Sequence, residues 1–170
     1  DIINRGSFPW NNVYMSFIGD VDLGDPMDDY VASDSARNMW IGYNSDNMDG
    51  NGTYNTYGAN PPAVGMRILK FPVNKTVSLF DTLRSLTMMH HFCGGCIAPS
   101  CEFSPFGEPI GAYNFMKGFK KDGSKWMNPL FNPPQPTKFQ YPGEPETNTG
   151  WTEFKGSLWN CGGDTGAYHP

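Results

Sequence analysis

The sequence contains few aliphatic and few basic side chains. Leu, Ile and Val number 7, 7 and 6 among 170 residues, which is little material for a core. Only 12 Lys and Arg stand against 17 Asp and Glu, so the formal net charge is −5. This balance argues against a nucleic-acid partner, because neutralising phosphates requires a basic face. No apolar run approaches the ~18 residues that cross a bilayer, which argues against a transmembrane segment.

Backbone-breaking and aromatic residues are instead abundant. The chain has 20 Gly and 15 Pro, together with 12 Phe, 8 Tyr and 5 Trp. Such a composition excludes a coiled coil, which is poor in Gly and Pro, and a disordered tail, which is poor in aromatics. We therefore expect a loop-rich domain whose core is built from aromatic side chains and from the 9 Met.

Short apolar runs bounded by turn residues predict strands more than helices. The predicted strands span residues 12–18, 38–43, 64–70, 76–80 and 85–92. One helix is predicted with Pro109 in its first turn and with Tyr113, Met116 and Phe119 at helical spacing. The proline-rich tract 128–136 predicts an extended surface connection. The expected fold is mainly β, with sandwich-like antiparallel sheets, one short helix and long ordered loops.

The ends of the chain bear on its domain organisation. It begins at Asp1 without an initiator Met or a signal peptide, and its last residues read like the middle of a loop. We therefore expect a single β-rich domain over residues 1–170 that is a fragment of a longer chain.

Acidic residues are concentrated between positions 20 and 49, where eight of the 17 lie against a single basic residue, Arg37. Such density favours calcium, which takes six to eight oxygen ligands from loops. The pattern is not an EF-hand, because Gly24 follows Asp20 and Asp22 too soon. Turn capping by Asp and a catalytic carboxylate pair remain open as alternatives. The candidate calcium ligands are Asp20, Asp22, Asp25, Asp28, Asp29 and Asp34.

Three of the four cysteines lie close together beside two histidines. Cys93, Cys96 and Cys101 follow His90 and His91, and Cys161 stands apart. In a secreted chain these four residues predict two disulfides of undetermined pairing. In a reducing compartment the same residues would favour zinc or a redox site, although a second pair of closely spaced cysteines is missing.

The tryptophans and a small group of lysines suggest binding surfaces. The five tryptophans are either core residues or a platform for stacking sugars, so the second functional hypothesis is a carbohydrate-binding module or part of a carbohydrate-active enzyme. They are Trp10, Trp40, Trp126, Trp151 and Trp159. The lysines are either a solvated helix end or a positive patch that docks onto the acidic loops of a neighbouring subunit. They are Lys117, Lys120, Lys121 and Lys125.

Several short motifs in order resemble one family of proteins. They are DLG at 22–24, DDYV at 28–31, WIGYNSDN at 40–47, YGANPPAVG at 57–65, YNFMKGFKKDGS at 113–124 and PTKFQYPGEPE at 136–146. This order is similar to a family of large, uncharacterised secreted and cell-surface proteins of Bacteroidetes exported by the type IX secretion system. The resemblance covers about residues 12–154, and the cysteine cluster departs from it.

The resemblance implies an extracellular or cell-surface location and therefore disulfides, but no particular activity. It also implies O-glycans at Asp-Ser/Thr-apolar sites, which makes Ser35 and Thr82 candidate attachment points. We expect a structural or adhesive domain, stabilised by calcium, that contacts other protein subunits of an extracellular assembly, with glycans as a further class of ligand.

Overall fold

The computed structural model describes residues 3–50, 55–69, 88–92, 104–105 and 107–155. The predicted strand at 76–80, the first three residues of the one at 85–92, Thr82 and all four cysteines lie outside these ranges. The rest of the chain folds into short strands and one helix.

The largest sheet has three antiparallel strands in the order β1-β2-β5. Strand β1 is Asp29–Asp34, β2 is Met39–Asn44 and β5 is Val64–Arg67. Strands β2 and β5 coincide closely with two predicted strands. Strand β1 lies in the acidic tract, where no strand is predicted. A four-residue turn joins β1 to β2, and Asn38 takes a left-handed φ of 56° there, a conformation that Asn tolerates.

Two small hairpins and two helical segments complete the described elements. Strand β3 (Met48–Asp49) pairs with β4 (Gly58–Ala59), and β6 (Trp126–Asn128) pairs with β7 (Gln135–Thr137). Helix α1 spans Pro109–Met116, and a 3-10 helix spans Glu153–Lys155. The mainly β prediction with one short helix is confirmed. Within the described ranges the sheets remain separate small units, and no closed sandwich is formed.

The core is aromatic, as the composition predicts. Trp126, Tyr141 and Trp151 are each 1% exposed. The rings of Tyr141 and Trp151 meet edge to face with centroids 5.3 Å apart. Two of the five candidate sugar-stacking tryptophans therefore have no free face, and they contribute to stability by burial instead.

Helix α1 begins at Pro109, as predicted, because a proline at the first helical position gives up no hydrogen bond. The apolar face is not the predicted one. Phe115 and Gly111 are the buried residues, while Tyr113 is more than one-third exposed. The proline-rich tract 128–136 contains the last residue of β6, the whole hairpin loop and the first two residues of β7, and Met127 pairs with Pro136.

The predicted strand at 12–18 is wrong: these residues form no ladder with any described strand. The segment is attached to the fold by side chains. The Tyr113 hydroxyl donates to the Asn12 carbonyl at 3.0 Å, and the rings of Tyr14 and Tyr113 are 5.6 Å apart. Further along, Gly19 lies so close to Trp40 that a Cβ would come within 2.6 Å of the indole. A short apolar run bounded by turn residues was insufficient here because a strand also needs a partner edge.

Candidate functional site

The structure brings five acidic residues together where the chain enters β1. We call this set the acidic cluster: Asp22, Asp25, Asp28, Asp29 and Asp49. Four of them were predicted as ligands. Asp49 is not among the predicted ligands, although it is the most buried of the five, with 1% of its surface exposed.

Two predicted ligands do not join the cluster. Asp34 ends β1 whereas Asp29 begins it, so the two Cα atoms are about 17 Å apart along an extended strand. Asp34 instead accepts the Arg37 backbone N–H at 2.9 Å and forms an ion pair with the Arg37 guanidinium in the β1-β2 turn. These hydrogen bonds hold the pKa of Asp34 below its ordinary value. Asp20 is exposed in the segment before the cluster.

Several carboxylate oxygens of the acidic cluster accept backbone N–H groups. The N–H of Leu23 donates to Asp29 Oδ2 at 2.6 Å, and that of Gly50 donates to Asp28 Oδ2 at 2.9 Å. Asp49 accepts from Asp25 at 2.8 Å through Oδ1 and from Tyr57 through Oδ2. The aspartates thus organise three loops by satisfying backbone donors, as the turn-capping alternative requires.

Charge is incompletely compensated in the acidic cluster. Burial raises the pKa of Asp29 to about 6, and the neighbouring charges of Asp28, Asp49 and Asp22 raise it further, while the Leu23 N–H opposes them. Asp28 Oδ1 and Asp29 Oδ1 are buried and find no hydrogen-bond partner among the described residues. Leaving carboxylate oxygens buried in this way costs free energy unless a proton, a water or a cation reaches them.

No ready coordination sphere accompanies these oxygens. Within the part of the chain that the structure describes, no group of three or more His, Cys, Asp or Glu side chains is arranged to hold a metal ion. Asp49 already accepts backbone N–H groups through both of its oxygens. The buried oxygens that would be free to coordinate a calcium ion are therefore Asp28 Oδ1 and Asp29 Oδ1.

A surface cleft of about 370 Å³ adjoins the acidic cluster, because Asp22 is one of its lining residues. Its described lining consists of Asp22, Gly24, Asn55, Thr56 and Tyr57. Gly24 has a φ of 90°, and a Cβ there would come 1.9 Å from Asp49 Oδ2. Only glycine therefore allows the backbone on this side of the cleft to pack directly against the buried carboxylate.

A second buried polar group joins distant parts of the chain. Glu153 is 4% exposed, and its Oε2 accepts the Val31 N–H from β1. Its Oε1 lies 3.7 Å from His91 Nδ1. The His91 backbone N–H donates at 2.7 Å to Gln140 Oε1, and Gln140 is fully buried. Glu153 thereby connects β1 with the segment at 88–92 and the 3-10 helix.

The remaining predicted residues have separate locations. Ser35 is exposed in the β1-β2 turn, whereas Thr82 falls outside the described ranges. Of the lysines, Lys121 forms an ion pair with Glu108 at 2.7 Å, and Lys117 lies over the ring of Tyr113. Among the described residues, no helix is long and apolar enough to cross a membrane.

Comparison with known proteins gives no match: no family model, curated protein or solved structure corresponds to this chain. The function must therefore be argued from the site itself.

Proposed function

We propose that this chain is a structural or adhesive domain of a secreted or surface-anchored bacterial protein, with a sandwich-like β fold, that contacts other protein subunits of an extracellular assembly. The observation that carries this proposal is the exposure of apolar side chains along residues 8–18. Phe8 and Phe17 are 79% and 74% exposed. The others are Trp10, Val13, Tyr14, Met15 and Ile18. Apolar side chains concentrated on a surface mark contact sites, because covering them releases ordered water.

Self-association through this segment is the first form of the proposal to test. Sedimentation analysis should detect concentration-dependent association of the full chain, and a Phe8→Ser/Phe17→Ser variant should abolish it. Leu130→Ser is the control, because Leu130 is also exposed but lies in the β6-β7 loop. Only monomer at about 100 µM would contradict association of micromolar affinity. Equal loss in the control would contradict a role for residues 8–18.

The extracellular location has its own test. The intact mass of native material should show the loss of four hydrogens that accompanies two disulfides among Cys93, Cys96, Cys101 and Cys161. Peptide mass spectrometry should find a glycan on Ser35 or Thr82. Free thiols or bound zinc in native material would contradict the disulfide proposal, and bare hydroxyls at both positions would contradict glycosylation.

We also propose that calcium stabilises the acidic cluster. Support comes from the two uncommitted oxygens of Asp28 and Asp29 within a set of five aspartates. Calcium at about 100 times its Kd would stabilise the fold by about 2.7 kcal/mol, and excess chelator should lower the Tm accordingly. An unchanged Tm in chelator would refute this part of the proposal without affecting the apolar surface.

A further inference from the structure

We propose that the cleft formed by Asp22, Gly24, Asn55, Thr56 and Tyr57 binds a neutral saccharide. This inference does not depend on assembly through residues 8–18, and it concerns a different surface from the tryptophan platform considered from the sequence.

The cleft is built before any ligand arrives. Its two walls come from the loop before β1 and from the segment before β4, and the buried carboxylate of Asp49 joins them. One oxygen accepts the Asp25 N–H beside the first wall, and the other accepts the Tyr57 N–H in the second. Because Asp49 fixes the backbone on both sides of the cleft through these hydrogen bonds, ligand binding would cost little conformational entropy.

The lining presents the groups that a sugar ring requires. Tyr57 is 61% exposed and offers an aromatic face to the C–H side of a pyranose. Asp22, Asn55 and Thr56 are exposed beside it. A carboxylate accepts from two hydroxyls, an amide both donates and accepts, and a hydroxyl does the same, which together match a ring carrying several hydroxyl groups.

The charge around the cleft argues against anionic ligands. Asp22 lies in the cleft and Asp25, Asp28, Asp29 and Asp49 lie around it, while no described Lys or Arg lines the cleft. An anion such as a phosphate, a nucleotide or a uronic acid would meet this charge without a compensating cation. A lipid chain would find one aromatic side chain among polar groups. A neutral, hydroxyl-rich molecule suits the lining best.

The test uses the full chain and saturation-transfer NMR with defined probes. The NMR probes are methyl β-glucoside, methyl α-mannoside, methyl β-galactoside and N-acetylglucosamine, with glucuronate as the anionic probe. Calcium chloride alone is the cation probe, and its binding is measured by isothermal titration calorimetry because the ion has no protons to observe. At least one neutral sugar should bind in the millimolar range. Tyr57→Ala and Asp22→Asn should each weaken its binding about tenfold, since each removes a principal contact. Tyr57→Ala keeps the backbone N–H that Asp49 accepts, so the wall itself is preserved.

Two matched controls locate the effect. Phe154→Ala removes an aromatic side chain that is also 61% exposed but does not line the cleft. Asp20→Asn removes one exposed charge near the cleft without changing its lining. Both controls should bind like the parent chain. The proposal is overturned if no neutral sugar binds, if the controls lose as much affinity as the cleft variants, or if only glucuronate or calcium binds.

Discussion

Replacing Asp29 by Asn should stabilise the protein at neutral pH. Asp29 is half-buried among like charges, and one of its oxygens has no hydrogen-bond partner in the described structure. The substitution is nearly isosteric and keeps an acceptor for the Leu23 N–H. It removes the charge that burial and the neighbouring aspartates oppose.

The pKa of Asp29 sets the size and the sign of this effect. A rise from 3.8 to about 6 corresponds to about 3 kcal/mol if fully expressed. Because the carboxylate is only half-buried, solvent screens part of the repulsion, and about 1 kcal/mol is the realistic gain. The folded state holds its proton more tightly than the unfolded state. The contribution of Asp29 to stability is therefore fully present below pH 3.8 and is lost as the pH rises through about 6.

Thermal unfolding in chelator between pH 4 and pH 8 measures this directly. The difference in Tm between Asp29→Asn and the parent should be near zero at pH 4 and reach about 2–4 °C at pH 8. Asp34→Asn is the matched control from the other end of β1. Arg37 lowers the pKa of the Asp34 carboxyl group, so replacing Asp34 by Asn should destabilise the protein at neutral pH. With calcium in place of chelator, the gain from Asp29→Asn should shrink or reverse if the ion uses this carboxylate.

Two results would refute the reasoning. A loss of stability in Asp29→Asn at pH 8 in chelator would mean that the ionised carboxylate is stabilised in the fold. A pH-independent difference would mean that packing, not charge, separates the two side chains.

Two further predictions concern the residues that connect the loops. Gly24→Ala should lower the free energy of unfolding in urea by about 2–4 kcal/mol, since its Cβ would clash with Asp49. Gly58→Ala is the control: it has a similar positive φ but open space around it, and it should lower that free energy by only about 1 kcal/mol. Similar costs for both would contradict the close contact. Glu153→Ala should cost about 1–3 kcal/mol because the Val31 N–H loses its acceptor, whereas Glu153→Gln should cost less. Equal losses would assign the effect to charge instead.

Several local features follow directly from short stretches of sequence. The start of α1 at Pro109, the strands β2 and β5 and the aromatic core around Trp126 were all predictable, because each depends on neighbouring residue types or on composition. The tract at 12–18 shows the limit of this reasoning. Its pattern suits a strand, but a strand forms only where another chain segment supplies hydrogen bonds.

Composition and local patterns predict a mainly β protein with an aromatic core and acidic loops. Which carboxylates lie together depends instead on the tertiary fold. It separated Asp34 from Asp29 along one strand, and it placed Asp49 against Asp25, 24 residues away. It also buried Glu153 beside Val31, 122 residues away. Local sequence patterns do not predict such pairings. The pairings form when folding brings backbone donors from separate loops within hydrogen-bond distance of one carboxylate.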